Sequence, residues 1–110
     1  MIGLVEARKR EIAELCRRYG VERIDLFGSA VSGRFDPSVS DLDFVVHFAD
    51  RQPTGGYAER YLDLADSLER LFQRRVDLVT EQSIRNPYFR REIEATREIL
   101  YEQPRQEAVI

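Results

Sequence analysis

Asp41 and Asp43 are separated by a single residue and open an apolar run that continues as Phe44-Val45-Val46. In an extended strand successive side chains alternate, so both carboxylates point to one face. Two carboxylates side by side repel one another, and a cation between them relieves that cost. Mg²⁺ suits the position, because it takes hard oxygen ligands and keeps coordination sites open for substrate phosphates. An earlier apolar run, residues 24–27, stops at Gly28-Ser29. Glycine lets the backbone approach a ligand closely, and Ser29 can begin a helix whose free N–H groups face a phosphate. Gly-Ser after a strand is, alone, an ordinary turn, and Asp-x-Asp alone is an ordinary solvated edge or helix cap. Together, in this order between two strands, they describe a phosphate cradle beside a metal-binding carboxylate pair.

Gly28-Ser29, then Gly33, then Ser40-Asp41-x-Asp43 with an apolar run behind it resembles the signature of the DNA polymerase β-like nucleotidyltransferase superfamily. The nearest branch is its smallest, the minimal nucleotidyltransferases of the MntA-like antitoxin type. The resemblance spans about residues 4–102. It departs from the pattern at Ser32, where many relatives carry a basic residue, and in a loop that carries Phe35 and Pro37; neither change removes a metal ligand. The resemblance implies an α/β (α+β) fold with a small, mixed, twisted sheet, helices packed on one side and the site at one sheet edge. It also implies a third acid on a neighbouring strand, and Asp77 in Val76-Asp77-Leu78-Val79 is the position that fits; the plain alternative is an exposed edge-strand aspartate. Ser40 joins Gly28 and Ser29 as a nucleotide-binding residue.

Such a site suits nucleotidyl transfer. Two Mg²⁺ ions would lie between the carboxylates and a nucleoside triphosphate, with Asp41 and Asp43 bridging both ions. Asp77 would bind the ion on the nucleophile side and accept the hydroxyl proton, while Gly28 and Ser29 hold the β- and γ-phosphates. By resemblance the donor is ATP and the partner an all-helical HEPN toxin, with AMP passing to a partner tyrosine and the chain acting as antitoxin. Two rivals stand beside this reading. One is the same chemistry on a small-molecule hydroxyl or a nucleic-acid 3′ end. The other is a degenerate module that neutralises its partner by contact alone, which the presence of all three acids disfavours.

The elements that must position these groups follow from periodicity. Val5, Ile12, Leu15, Cys16 and Tyr19 recur at helical spacing, predicting a helix over residues 4–19 ended by Gly20. Strands are expected over residues 21–27, 41–48, 76–79 and 99–101, with a short helix from Ser29 to near Gly33. On the second strand Leu42, Phe44, Val46 and Phe48 share one face; Asp41, Asp43, Val45 and His47 share the other. His47 reads as a strand-end surface residue. Residues 49–56, with Pro53 and Gly55-Gly56, read as a connecting loop that could border the site. Tyr61, Leu64, Ala65, Leu68, Leu71 and Phe72 make the apolar stripe of a helix over residues 57–73. Asn86-Pro87 opens a last helix over residues 87–96. Arg85, Arg90 and Arg91 read as its solvated face.

At 110 residues the chain is one domain, residues 1–102, with a tail over residues 103–110. Its 43% hydrophobic content is ordinary for a globular protein. No apolar run approaches the ~18 residues of a membrane helix and no leader opens the chain. The single cysteine, Cys16, excludes an internal disulfide and fits a cytoplasmic setting. A net charge of −3 argues against direct nucleic-acid binding.

Overall fold

The computed structural model describes residues 2–49 and 56–104. Two short helices, α1 (Gly3–Glu6) and α2 (Lys9–Arg18), lead into strand β1 (Val21–Phe27), the single turn α3 (Ser29–Ser32) and strand β2 (Leu42–Phe48). Helix α4 (Tyr57–Phe72) crosses to strand β3 (Val76–Thr80), and a 3₁₀ turn (Glu81–Ser83), helix α5 (Pro87–Thr96) and strand β4 (Glu98–Glu102) complete the chain. The sheet runs β3-β2-β1-β4; β1 is antiparallel to both β2 and β4, whereas β2 and β3 are parallel. This is the mixed sheet expected. The loop over residues 50–55 and the tail from residue 105 lie outside the described residues.

Alternation on β2 sorts its residues as the pattern demands. Leu42, Phe44, Val46 and Phe48 are fully buried with Ile24 and Leu26 of β1. Ile12 and Cys16 of α2, and Leu64, Leu68 and Phe72 of α4, cover that face. Phe44 and Phe72 stack at 6.1 Å between ring centroids. Burial pushes the Cys16 thiol up to about 12, so it is an inert core residue. The expected helix over residues 4–19 is broken at Ala7 and Arg8. No buried side chain lies between Val5 and Ile12 to hold that stretch on the sheet; Ala7 is small and exposed. Arg8 leaves helical geometry and its N–H tightens to Val5 O, and Val5 itself is fully buried.

The opposite face carries a smaller cluster. Phe27, Val45, Ile84 and Ile93 are buried there, with Val79 and Phe89 against them, so α5 covers part of the face that α2 and α4 leave open. Asn86 caps α5 by accepting from the amides of Tyr88 and Phe89, with Pro87 in the first turn. Beside this cluster lies a carboxylate with no solvent exposure, Asp25. Arg23 Nε and Nη2 donate to Oδ1 and Oδ2 at 2.9 Å, and Arg97 Nε donates to the same Oδ2. Arg97 also donates to both oxygens of Glu81 and to Glu94 at 2.7 Å. That hydrogen bonding holds the Glu81 carboxyl below the usual carboxylate range.

Removing one partner from a buried ion network leaves the others desolvated and unpaired. Asp25→Ala is therefore expected to lower unfolding free energy by about 3–5 kcal/mol. Urea denaturation would show a lower midpoint at an unchanged m-value.

Candidate active site

Gly28 stands where β1 ends, and its backbone (φ 77°, ψ −144°) lies in a region open to glycine and strained for other residues. A Cβ built on it would lie 2.6 Å from Asp43 Oδ2, so the missing side chain makes room for that carboxylate. Phe27 pairs with Asp43 across the antiparallel ladder, which brings Gly28-Ser29 and Asp43 to one end of the sheet. Gly28 O accepts from the amides of Val31 and Ser32, and Gly33 closes α3 in the left-handed region. The Gly28 amide is already engaged, donating to Thr96 Oγ1 at 3.0 Å. The Gly28 amide is therefore not free to meet a ligand, and Ser29 is the adjacent partly exposed donor.

The two acid-bearing strands meet in register. In the parallel β2–β3 ladder Asp43 lies directly across from Asp77, and Phe44 across from Leu78. Asp77 is exposed and Asp43 partly buried; Asp41, exposed, stands one residue before β2 begins. All three acids thus gather at the end of the sheet where Gly28 sits. Burial first, then the negative charges of Asp77, Asp41 and Glu92, push the Asp43 carboxyl from 3.8 up to about 6. Glu92, brought within electrostatic reach by α5, is a fourth acid that strand patterns do not reveal. Tyr61 on α4 donates its hydroxyl to the carbonyl of Leu78, next to Asp77. Burial and then Asp77 raise the pKa of that hydroxyl.

The loop before Asp41 is held by residues that departed from the family pattern. Phe35 packs against the main core, Arg74 lies over its ring at 5.1 Å, and Arg74 Nη1 donates to Pro37 O. Asp36 accepts from the amide and hydroxyl of Ser38, which holds its carboxyl below the usual range. Ser40 Oγ accepts from the Asp36 amide at 2.9 Å, so this expected nucleotide ligand closes its own loop.

Other expected residues lie elsewhere. His47 is two turns of the pleat beyond Asp43, about 13 Å along the strand; its Nε2 meets Glu22 at 3.0 Å. Arg90 donates to the carbonyl of Ile84, and Arg91 lies over the ring of Tyr88. Both hold local structure. Asp25, Thr96 and Arg97 were not singled out from sequence. Asp25 did carry a signal, being a lone acid in the apolar run Ile24-Asp25-Leu26, as Asp77 is in Val76-Asp77-Leu78-Val79.

A divalent cation fits this chemistry. Burial raises Asp43 most and the neighbouring carboxylates add to it, and a cation would relieve both by neutralising the charge. Among the described residues no group of three or more His, Cys, Asp or Glu side chains is placed to hold a metal ion by itself. An open carboxylate set suits Mg²⁺, which is usually held by one or two carboxylates together with substrate phosphates.

A profile of the nucleotidyltransferase domain matches residues 9–100, which take in all three acids, the Gly28-Ser29 turn and α5. The chain belongs to the nucleotidyltransferase domain family. A presumed protein adenylyltransferase of Methanocaldococcus jannaschii is 38% identical over 92 residues, covering 76% of this chain and 89% of that protein. The protein adenylyltransferase MntA of Thermococcus cleftensis is 33% identical over 84 residues, covering 76% of this chain and 77% of its own. In a crystal structure of a toxin–antitoxin with AMP-PNP, one chain matches this nucleotidyltransferase with a TM-score of 0.67 at 25% identity. The match covers 86% of this chain and 73% of that one.

Two outcomes follow for this nucleotidyltransferase. Gly28→Ala forces a side chain into the left-handed region and against Asp43. It is expected to cost about 1–3 kcal/mol of stability, read as a lower midpoint in urea denaturation. The second concerns pH. An acid whose pKa is raised on folding binds its proton more tightly folded than unfolded. Without a cation, that stabilising effect is complete below about pH 4 and lost as pH rises through about 6. Asp43→Asn in chelator should thus melt above wild type at pH 7.5, by about 4 °C or more. The gap should close near pH 4 in a pH series of thermal melts.

Proposed function

We propose that this nucleotidyltransferase moves AMP from ATP to a tyrosine hydroxyl of a HEPN toxin, with Mg²⁺, and so acts as its antitoxin in the cytoplasm. The observation that carries the reading is the register of Asp43 against Asp77 beside the Gly28-Ser29 turn. The names of its relatives as protein adenylyltransferases, and the toxin–antitoxin structure with AMP-PNP, support the donor, the acceptor class and the partnership. Among the described residues no helix is long and apolar enough to cross a membrane.

Asp41, Asp43 and Asp77 would hold Mg²⁺. When bound, the metal would supply charge neutralisation along the triphosphate and acidify the acceptor hydroxyl. Ser29 donates to the β- or γ-phosphate, and Gly28 leaves room beside it for the Asp43 carboxylate. The tyrosine oxygen attacks the α-phosphorus; a new P–O bond forms as the α–β phosphoanhydride bond breaks. Asp77, exposed and directly across from Asp43, takes the tyrosine proton. Pyrophosphate leaves.

The test mixes the purified chain, Mg-ATP and a HEPN-domain protein from the same organism, and reads that protein by intact mass and peptide mapping. The expected product is partner carrying AMP on tyrosine, with transfer reduced about a thousandfold or more in Asp41→Ala/Asp43→Ala. Neutralisation of the partner by that variant as fully as by wild type, with no AMP added by either, would replace catalysis with contact alone.

A further inference from the structure

The hydroxyl of Thr96 is the one link, among the described residues, between the Gly28 amide and any side chain. It joins residues 68 positions apart, from the end of β1 to the last residue of α5. Both hydrogen-bonding capacities of this hydroxyl are used. It accepts from Gly28 N at 3.0 Å and donates to Glu92 O at 3.0 Å. A hydroxyl held from both sides has a fixed orientation, unlike one left to rotate.

The next residue reinforces the link. Arg97 donates its amide to Ile93 O and its guanidinium to Asp25, Glu81 and Glu94. Asp25 is fully buried two residues before Phe27, and Phe27 packs edge-on against Phe89 of α5 at 5.9 Å. Two polar rungs, Asp25–Arg97 and Gly28–Thr96, therefore tie the end of α5 to the end of β1, while Phe27 holds the first turn of α5 through Phe89. What the clamp locates is the glycine against which Asp43 rests, since a Cβ there would lie 2.6 Å from Asp43 Oδ2.

We infer that Thr96 is a positioning residue for nucleotide binding, resting on the nucleotidyl-transfer reading above. It touches neither nucleotide nor acceptor. By taking up the Gly28 amide it fixes the turn between β1 and α3, so that Ser29 and Asp43 face the triphosphate at a set distance. The same bond directs phosphate recognition away from the Gly28 N–H and onto Ser29. A contact made to the phosphates in both ground and transition states affects binding more than turnover. Losing the clamp should thus raise KM for ATP and leave kcat nearly unchanged.

Thr96→Val removes the hydroxyl at constant shape, and Thr96→Ser keeps it. Amide exchange of Gly28 by ¹⁵N NMR reads the bond with no nucleotide present. AMP transfer to the partner, with KM for Mg-ATP and kcat measured well below the melting temperature, reads its consequence. The expected result is Gly28 exchange about tenfold faster in Thr96→Val, KM raised about tenfold, kcat within threefold, and both restored in Thr96→Ser. Unchanged Gly28 exchange in Thr96→Val would overturn the bond, and faster exchange with unchanged KM would overturn the positioning role. A loss in kcat and KM that tracks the unfolded fraction would make Thr96 merely structural. If the wild type neither binds nor uses Mg-ATP with its partner present, the nucleotidyl-transfer reading falls, and the positioning role with it; the exchange data then describe a structural bond alone.

Discussion

Like charges at the same register position of neighbouring strands repel, and the parallel β2–β3 ladder holds Asp43 and Asp77 in that arrangement. Adjacent strands are about 4.8 Å apart, so two carboxylates on one face cannot avoid each other. The ladder is held from the other side of the sheet. Leu42 and Phe44 on β2 and Leu78 on β3 are buried under α4, alternating with the acids they keep in place. Burial of roughly 1.5–3 kcal/mol per large apolar side chain outweighs the repulsion of a partly solvated acid pair. The energy that folds one face thus maintains an unfavourable arrangement on the other: Asp43 is raised first by its burial and then by the charge of Asp77.

The site face needs a different kind of cover. A continuous apolar layer would have sealed the acids from substrate. Instead a small cluster around Ile93 anchors α5, and the buried Asp25 with its two arginines anchors the end of that helix. A buried ion network is a poor source of net stability, because desolvation offsets much of the Coulomb attraction. It is directional, however, and here it orients the last turn of α5 over the end of β1. The result is a lid of one helix, set by hydrogen bonds, beside a site that stays open.

The loop between Gly33 and Asp41 follows the same division. Phe35 commits one side of it to the core, while Arg74, Ser38 and Ser40 satisfy its backbone. Asp41 therefore emerges from a stretch with defined ends even though it precedes the strand proper.

Much was legible in the chain alone. Period-two alternation on residues 42–48, the stripe of α4, Gly20 and Gly33 as stops and Asn86-Pro87 as a start are local signals. The structure follows them because each reflects a single element choosing which face to bury. The grouping of Gly28-Ser29 with Asp41 and Asp43 was likewise readable, since short connections keep successive strands adjacent. Other features required the third dimension. The break at Ala7 and Arg8 arises because the core, not helix propensity, draws in Val5. The pairing of Asp43 with Asp77, and of Gly28 with Thr96, joins residues tens of positions apart, and no periodicity encodes which strand lies beside which. Local composition determined what each element would bury and which residues could do chemistry. Only tertiary packing decided which of those residues meet, because ladder register and helix docking are set by the summed burial of all the elements at once.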